Sequence, residues 1–216
     1  MYQLPLKNIY RAQELKFYEL LKDAQKNLLD DFSKLFPDFL NGGSLLSART
    51  YQNPSGTNDM LYESKTEEPW KVTGVKAFGS LLAEKKEVYP TAFKIAEMFG
   101  DDCFMATYSL FEPNTILYRH TGTENREAKF IRIHIPLYIP AGDVGFEVEG
   151  EVIHWDDIFA FNNQKLHSAW NGTNERRLVF LLDLTREVCG FPPAPAWYPG
   201  MNDHVPPFEK TKGPTL

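Results

Sequence analysis

The chain has 216 residues, which is enough for one domain with a full hydrophobic core, and aromatic residues make up 14% of it. Its formal net charge is −6 and no basic run stands out, which argues against a nucleic acid polymer as the main partner. The two cysteines, Cys103 and Cys189, form neither a disulfide framework nor a thiolate metal cluster and indicate a reducing compartment.

Neither a targeting signal nor a membrane segment is found in the sequence. The first residues, MYQLPLKNIYRAQELK, do not contain the apolar core of a signal peptide. No run reaches the roughly 18 apolar residues that a membrane-spanning helix needs. We therefore expect a cytoplasmic protein that does not enter a membrane and is a monomer or a small homo-oligomer.

The first long element of the sequence is a predicted helix over residues 10–36. Apolar residues recur there near the helical period, and Pro37 with a following Asn-Gly-Gly cluster ends it. Residues 44–75 are polar and contain the turn-forming run Asn-Pro-Ser-Gly, so we expect loops and short strands in this part. A second helix is predicted to begin at Pro90, which suits the first helical position, and to end at Gly100.

From about residue 104 the apolar period changes to two, which is typical of strands. The stretch AKFIRIHIPLYI at 128–139 alternates well, and Asn-Asn and Asn-Gly turns separate further short strands. Helices followed by many short antiparallel strands predict a β-sandwich or barrel supported by helices. Residues 190–216 hold seven of the fifteen prolines, so this tail is expected to wrap the surface rather than form a central element.

One face of the strand at 128–139 is polar. Its isoleucines face one way, whereas Arg132 and His134 lie side by side on the other face. This face is either solvated, as one face of many antiparallel sheets is, or it lines a barrel interior. In the second case the two side chains need an anionic or metal partner, because burying them unpaired would cost several kcal/mol.

A second polar pair follows on the next two strands. His167 and Arg177 flank the segment NGTN, which predicts a hairpin turn. A loop of three or five residues would place both side chains on one face, whereas a loop of four would separate them. On one face with the first pair, they would form a site for a metal ion and a dianion, since arginine binds carboxylates bidentately.

Three motifs in the second half of the chain occur together in one known family. They are YSLFEPNTILYRHTGTEN, the Arg-x-His motif RIH, and FNNQKLHSAWNGTNERRLVFLLD. The segment 107–185 that holds them resembles the catalytic domain of the aspartyl/asparaginyl β-hydroxylases, and EPWKVTGVKAFG at 68–79 matches more weakly. The resemblance implies a mainly β fold with flanking helices and a double-stranded β-helix core of the jelly-roll or cupin type.

The resemblance also implies how the chain is organised and what it binds. Residues 1–216 would form a single catalytic domain, in which 1–100 provide helical support and loops, 104–185 the β-core with the metal site, and 190–216 the proline-rich tail. The family depends on Fe(II), on 2-oxoglutarate as cosubstrate and on O2. These three are therefore the expected cofactor and reactants.

Carried over residue by residue, the resemblance makes His120 and His167 the iron ligands. Arg177 would pair with the distal carboxylate of 2-oxoglutarate, with help from Ser109. The further cosubstrate contacts that the resemblance implies are Arg132, His134 and Phe111.

Gly122 stands two residues after His120, where most related iron enzymes have a carboxylate ligand. The family resembled has a glycine there, so water or another small ligand is expected to fill the third position. Glu124 is near enough in sequence to substitute for the carboxylate, but its direction two residues past Gly122 argues against this. The sequence departs from the family at 161–164, where FNNQ replaces Phe-Asp-Asp-Ser and removes two carboxylates near His167.

These features support three functional hypotheses. The first is an Fe(II)/2-oxoglutarate-dependent dioxygenase that hydroxylates an unactivated C–H of an amino-acid-like or other small biosynthetic substrate. The second is a halogenase on the same scaffold, in which chloride binds at the coordination position that Gly122 leaves open. The third is a non-catalytic barrel that binds a metal. We favour the first, because it gives five inward polar residues one common function.

Overall fold

The computed structural model describes residues 7–38, 49–50, 62–64, 69–122, 129–191 and 208–209. The helices are α1 (Tyr18–Leu35) and α2 (Pro90–Phe99). The strands are β1 (Ile9–Arg11), β2 (Arg49–Thr50), β3 (Tyr62–Ser64), β4 (Trp70–Ala77), β5 (Ser80–Leu81), β6 (Cys103–Phe111), β7 (Thr115–His120), β8 (Phe130–Tyr138), β9 (Val144–Val148), β10 (Glu151–Ile153), β11 (Phe159–Phe161), β12 (His167–Asn171), β13 (Arg177–Thr185) and β14 (Phe208–Glu209). Neither α1 nor α2 is long and apolar enough to cross a membrane.

Helix α1 is shorter than the predicted helix over 10–36, because a strand and a short 3-10 helix, Ala12–Glu14, precede it. The first residues of that range belong to β1, which pairs antiparallel with β11 and buries its apolar side chains at the sheet edge. The helix itself begins at Tyr18. Its buried apolar face is formed at helical spacing by Leu21, Leu28 and Phe32.

Helix α2 begins at Pro90 as predicted and ends at Phe99, one residue before Gly100. The N–H groups of a first helical turn have no acceptor inside their own helix. The carboxylate of Asp31 on α1 provides one, because its Oδ2 accepts a hydrogen bond from the backbone N–H of Thr91 at 2.7 Å. One helix thus caps the other through a buried aspartate.

Two antiparallel sheets face each other. The major sheet has the strand order β1-β11-β8-β13-β6-β4-β2, with β5 paired to β4, and the minor sheet has the order β10-β9-β12-β7-β14, with β3 paired to β7. From β6 to β13 the chain crosses repeatedly between them: β6, β8, β11 and β13 lie in the major sheet, and β7, β9, β10 and β12 in the minor sheet. This alternation defines a double-stranded β-helix, so the predicted fold class is confirmed.

The two faces of β8 enter two different cores, as its alternation predicted. Ile131, Ile133 and Ile135 are buried in the core between the major sheet and the helices. Arg132 and His134 point from the other face into the space between the two sheets. The polar face of this strand is therefore the barrel interior rather than a solvated surface.

The predicted hairpin between His167 and Arg177 is wrong. The strands that carry them are separated by residues 172–176 and do not pair, because β12 lies in the minor sheet and β13 in the major sheet. The side chain of Asn171 turns the chain at this crossing, since its amide donates to the carbonyls of Glu112 and Glu175 at 3.1 and 2.8 Å. His167 and Arg177 nevertheless face the same interior, from opposite sheets.

The expectation of loops and short strands over 44–75 is wrong for its last part. Residues Trp70–Ala77 form the eight-residue strand β4, which pairs with β6 along most of its length. The sequence WKVTGVKA alternates apolar and polar residues over 70–73, but a register shift between Gly74 and Lys76 interrupts the period. Pairing with β6 makes the whole segment one strand. Apart from 49–50, 62–64 and residue 69, the rest of this range lies outside the described residues, as does most of the proline-rich tail.

Replacing Asp31 by alanine should lower the free energy of unfolding by about 1–3 kcal/mol, because it removes the buried acceptor of the first turn of α2. Denaturant unfolding followed by circular dichroism measures this change. Asp30→Ala is the matched control, since Asp30 is half exposed and pairs with Lys26 on the surface of α1. That control should cost less than about 0.5 kcal/mol. Equal losses in the two variants would contradict the capping role of Asp31.

Candidate active site

A cavity between the two sheets brings together seven of the eight residues that the sequence predicted for the site. They are Ser109, Phe111, His120, Arg132, His134, His167 and Arg177. The eighth, Gly122, follows β7 and contacts the backbone of Asn163. The rest of the cavity wall is apolar or aromatic and consists of Trp70, Leu117, Phe146, Phe161, Ala169 and Leu181. The structure shows that these residues are close together, whereas the role of each remains a prediction.

His120 and His167 face each other on neighbouring strands of the minor sheet. They are register partners, and their ring centroids are 4.2 Å apart. In each ring Nδ1 lies within hydrogen-bond distance of the backbone carbonyl two residues earlier, at 2.8 Å from Tyr118 and 2.7 Å from Lys165. A carbonyl only accepts, so Nδ1 carries the proton of each neutral ring and Nε2 has the lone pair. Two such rings side by side present the ligand set of a divalent transition metal.

The surroundings of the cavity favour neutral imidazoles. Burial lowers the pKa of His167 well below its usual range, and the neighbouring His120 adds to this effect. Burial also lowers the pKa of His134, with further contributions from the cations Arg177 and Arg132. At neutral pH a metal ion would therefore not have to displace a proton from His167.

Gly122 lies so close to Asn163 that no side chain fits at its position. Its N–H donates to the carbonyl of Asn163 at 2.6 Å. A Cβ added to Gly122 would lie 2.7 Å from Nδ2 and 2.9 Å from the backbone oxygen of Asn163. A carboxylate at this position would require Asn163 to move. Among the described residues no three His, Cys, Asp or Glu side chains form a group that could hold a metal ion, and Glu124 lies outside those residues.

Arg177 is a buried cation in the same cavity. It begins β13 opposite Phe111, and its guanidinium carbon lies 3.8 Å from the centroid of the Phe111 ring and 4.7 Å from that of Trp155. Its side chain is buried, and its Nε has no hydrogen-bond partner among the described residues. Burial lowers the pKa of Arg177 to about 9, so the group is still a cation at neutral pH. A desolvated guanidinium without a compensating carboxylate is suited to binding an anion.

Ser109 presents a hydroxyl on the same face of β6 as Phe111. Its Oγ accepts a hydrogen bond from the indole Nε1 of Trp70 on β4 at 2.9 Å. Because this bond occupies a lone pair of the oxygen, the hydroxyl can donate its own hydrogen to a ligand in the cavity. Trp70 was not among the predicted site residues, although it belongs to the weakly matching motif EPWKVTG.

Arg132 is paired with a carboxylate that sequence reasoning missed. Its Nε and Nη2 donate to the two carboxylate oxygens of Asp183 at 2.8 and 2.7 Å, and the two residues are register partners on β8 and β13. Asp183 is buried and Arg132 is partly buried, and this bidentate ion pair adds no net charge to the cavity. The alternation of RRLVFLLDL could have identified Asp183, since it shares a face with Arg177 six residues earlier.

His134 is also held by a residue that sequence reasoning missed. The indole Nε1 of Trp155 donates to His134 Nδ1 at 3.1 Å, and the two ring planes are within 2° of parallel. Trp155 lies in the turn after β10 and is buried. No periodicity marks it, because the local sequence IHWDD belongs to a turn whose direction the rest of the barrel sets.

Comparison with known proteins relates the chain to one family. A model of the aspartyl/asparaginyl beta-hydroxylase family matches residues 41–187. The ornithine lipid ester-linked acyl 2-hydroxylase of Rhizobium tropici is 26% identical over 127 residues, which are 57% of this chain and 44% of that protein. The aspartyl/asparaginyl beta-hydroxylase of Mus musculus is 27% identical over 93 residues, which are 42% of this chain and 12% of that protein. The chain thus spans less than half the length of these curated relatives.

A solved structure of a prolyl hydroxylase from Trichoplax adhaerens, in complex with a peptide of a hypoxia inducible factor, aligns with a TM-score of 0.47 and 10% identity. The alignment covers 78% of this chain and 81% of that chain. Family membership rests on the family model rather than on this superposition.

Introducing a carboxylate at Gly122 should not create a third metal ligand. We expect Gly122→Asp to bind a divalent metal no more tightly than Gly122→Ala, and both to bind it more weakly than the wild type, because any Cβ there displaces Asn163. Calorimetric titration of the metal-free proteins with Mn(II) measures the affinities. The alanine variant is the control for the steric effect alone. An aspartate variant with about tenfold higher affinity than the wild type would show that Asn163 moves aside and would contradict this expectation.

Proposed function

We propose that this chain, which belongs to the aspartyl/asparaginyl β-hydroxylase family, is an Fe(II)- and 2-oxoglutarate-dependent dioxygenase that hydroxylates a small substrate. The observation that carries this proposal is the buried cation of Arg177 in the cavity that also holds the imidazoles of His120 and His167. The cation requires an anion and the imidazole pair suits a metal. A 2-oxo dicarboxylate satisfies both, since its keto acid end chelates a metal and its distal carboxylate pairs with arginine.

His120 and His167 would hold the ferrous ion through Nε2. The hydrogen bonds that their Nδ1 atoms donate to backbone carbonyls fix both ring orientations and raise the basicity of Nε2. Iron bound there would supply the oxygen chemistry, in which 2-oxoglutarate is decarboxylated to succinate and one oxygen atom enters a C–H bond of the substrate. Because Gly122 has no side chain, water or another small ligand would complete the coordination.

Arg177 would bind the distal carboxylate of 2-oxoglutarate, and Ser109 would donate a hydrogen bond to it. Arg177 suits this role because Arg132 is already neutralised by Asp183 and adds no net charge. Arg132 and His134 remain proposed as further contacts of the cosubstrate, since both line the cavity. The Phe111 ring, against which Arg177 packs, would form part of the pocket wall.

The apolar part of the cavity would protect the reaction from water. Five of its residues come from five different strands of both sheets, namely Leu117, Phe146, Phe161, Ala169 and Leu181. The closed barrel therefore brings them together. An apolar cavity wall strengthens the attraction between Arg177 and a carboxylate, because the effective dielectric constant there is low. It also keeps reactive species from side reactions with solvent.

For the substrate we propose an amino-acid-like or other small molecule whose reacting carbon lies next to a carbonyl group. This choice is supported by the names of the two curated relatives, an aspartyl/asparaginyl β-hydroxylase and an acyl 2-hydroxylase. The β-carbon of an aspartyl residue and carbon 2 of an acyl chain are each bonded to a carbonyl carbon. A panel of amino acids, their amides and short acyl esters, scored by substrate-dependent succinate release, tests this class.

A halogenase would need chloride at the coordination position beside Gly122. No contact of the described residues favours a halide there over water, so hydroxylation is the function that we propose. The assay therefore includes chloride as a variable, and product mass spectrometry distinguishes a hydroxylated from a chlorinated product. Chloride-dependent chlorination would replace the proposed function by the halogenase.

Replacing Arg177 by methionine should weaken the binding of 2-oxoglutarate without lowering the stability of the protein. We expect 2-oxoglutarate to bind at least about 30-fold more weakly, because its distal carboxylate loses a buried charge partner. The metal-free protein should be at least as stable as the wild type, because an uncompensated buried cation is replaced by an apolar side chain of similar length. The charge-transfer absorbance of anaerobic Fe(II) protein with 2-oxoglutarate measures the first effect, and thermal unfolding measures the second.

Arg119→Met is the matched control for this experiment. Arg119 directly precedes His120 on β7, but its guanidinium pairs with Glu147 and does not line the cavity. This variant should retain the charge-transfer band and succinate release. A wild-type protein without that band would support the non-catalytic barrel instead, and a normal band in Arg177→Met would contradict the assigned cosubstrate site.

A further inference from the structure

We propose that Trp155 is a positioning residue of the cosubstrate site, which fixes His134 as a hydrogen-bond donor to the ligand and packs against Arg177. This inference rests on the proposed function, because 2-oxoglutarate is the ligand considered. Trp155 itself does not line the cavity. It acts through the two cavity residues that its indole contacts.

The first contact decides which nitrogen of His134 carries the proton. An indole N–H can only donate, so His134 Nδ1, which lies 3.1 Å from Trp155 Nε1, must be the acceptor. The neutral ring then carries its hydrogen on Nε2. His134 is therefore a donor toward any group that meets this nitrogen, and the opposite tautomer would leave the indole N–H facing another N–H.

The second contact places the guanidinium of Arg177 against two aromatic rings. Its central carbon lies 3.8 Å from the ring centroid of Phe111 and 4.7 Å from that of Trp155. Aromatic faces stabilise a cation without accepting its N–H hydrogen bonds in the way that a carboxylate does. The guanidinium of Arg177 is thus held in place, while its N–H groups can still donate hydrogen bonds to a ligand.

Apart from His120 and His167, the two contacts together make the polar groups that we assign to the cosubstrate a set of donors. His134 donates through Nε2, Arg177 donates from its guanidinium, and Ser109 can donate its hydroxyl hydrogen because its oxygen already accepts from Trp70. A carboxylate accepts hydrogen bonds and donates none. With the other tautomer of His134, a lone pair would face the carboxylate and repel it. A single indole therefore contributes to the selectivity of the site for an anion.

Trp155→Phe tests the proposal, since it keeps an aromatic ring beside Arg177 and removes the N–H donor, and the double-mutant cycle below separates the loss of this donor from the smaller size of the phenyl ring. We expect 2-oxoglutarate to bind about 2-fold to 10-fold more weakly, which corresponds to the loss of one hydrogen bond. Metal affinity should not change, because Trp155 does not contact His120 or His167 through its N–H. Calorimetry of the anaerobic Fe(II) protein with 2-oxoglutarate gives the first value, and Mn(II) titration of the metal-free protein gives the second.

A double-mutant cycle with His134→Gln excludes a merely structural effect. The glutamine amide nitrogen can take the place of Nε2 as a donor, and no tautomer is left for Trp155 to select. Trp155→Phe should then weaken 2-oxoglutarate binding in the wild-type background but not in the His134→Gln background. Losses that add in the double variant would overturn the proposal.

Nitrogen NMR of the histidine rings in the metal-free protein reports the tautomer directly. His134 should have an unprotonated Nδ1 in the wild type and a mixture of tautomers in Trp155→Phe. Trp170→Phe is the matched control, because this buried indole donates to Asp143 at 2.7 Å outside the cavity. That control should lose stability but bind 2-oxoglutarate normally.

The outcomes separate the inference from the function on which it rests. A wild-type protein that does not bind 2-oxoglutarate would remove the proposed function, and the inferred role in cosubstrate binding would fall with it. A wild type that binds 2-oxoglutarate, together with an unchanged affinity and an unchanged His134 tautomer in Trp155→Phe, would leave the function standing and overturn the inference alone.

Discussion

The rest of the molecule depends on one constraint, which is that β13 is buried along its whole length. The helices cover one face of this strand, and the other face lies between the two sheets. All nine residues of the strand are buried. One face, with Leu178, Phe180 and Leu182, packs against the helices. The other face places Arg177 and Asp183 between the sheets. Every polar group on that inner face must therefore find a partner in the barrel, because water does not reach it.

The two charged residues of that face meet this requirement to different extents. Asp183 is fully paired, since Arg132 binds both of its carboxylate oxygens. Arg177 is held mainly by aromatic faces and keeps an Nε without a described hydrogen-bond partner. A protein that gained only stability from this position would pair the cation or replace it by an apolar side chain. The unpaired cation is better explained by a ligand that carries the missing anion.

Local strand geometry orients the histidine pair that we propose as the metal ligands. His120 and His167 are register partners on adjacent strands, so the sheet itself sets their separation. Each ring is oriented by a carbonyl of its own strand, two residues earlier. Gly122 lies against Asn163, so a Cβ at that position would require Asn163 to move. Among the described residues, the proposed metal site therefore has two protein ligands, His120 and His167.

By itself the sequence determined helix α2, most of helix α1, the strand character of β8 and the candidate residues of the cavity, because alternation and motifs are local properties. It left open whether the polar face of β8 meets water or the barrel interior. It could not determine that β12 and β13 lie in opposite sheets, since strand pairing is decided by contacts between distant segments. Trp155 was missed for the same reason, since it lies in a turn that the barrel orients. The alternation of β13 places Asp183 on the inner face, but only the register shows that its partner is Arg132. Only the closed tertiary structure fixes which polar groups share one dry interior, because burial is a property of the whole fold.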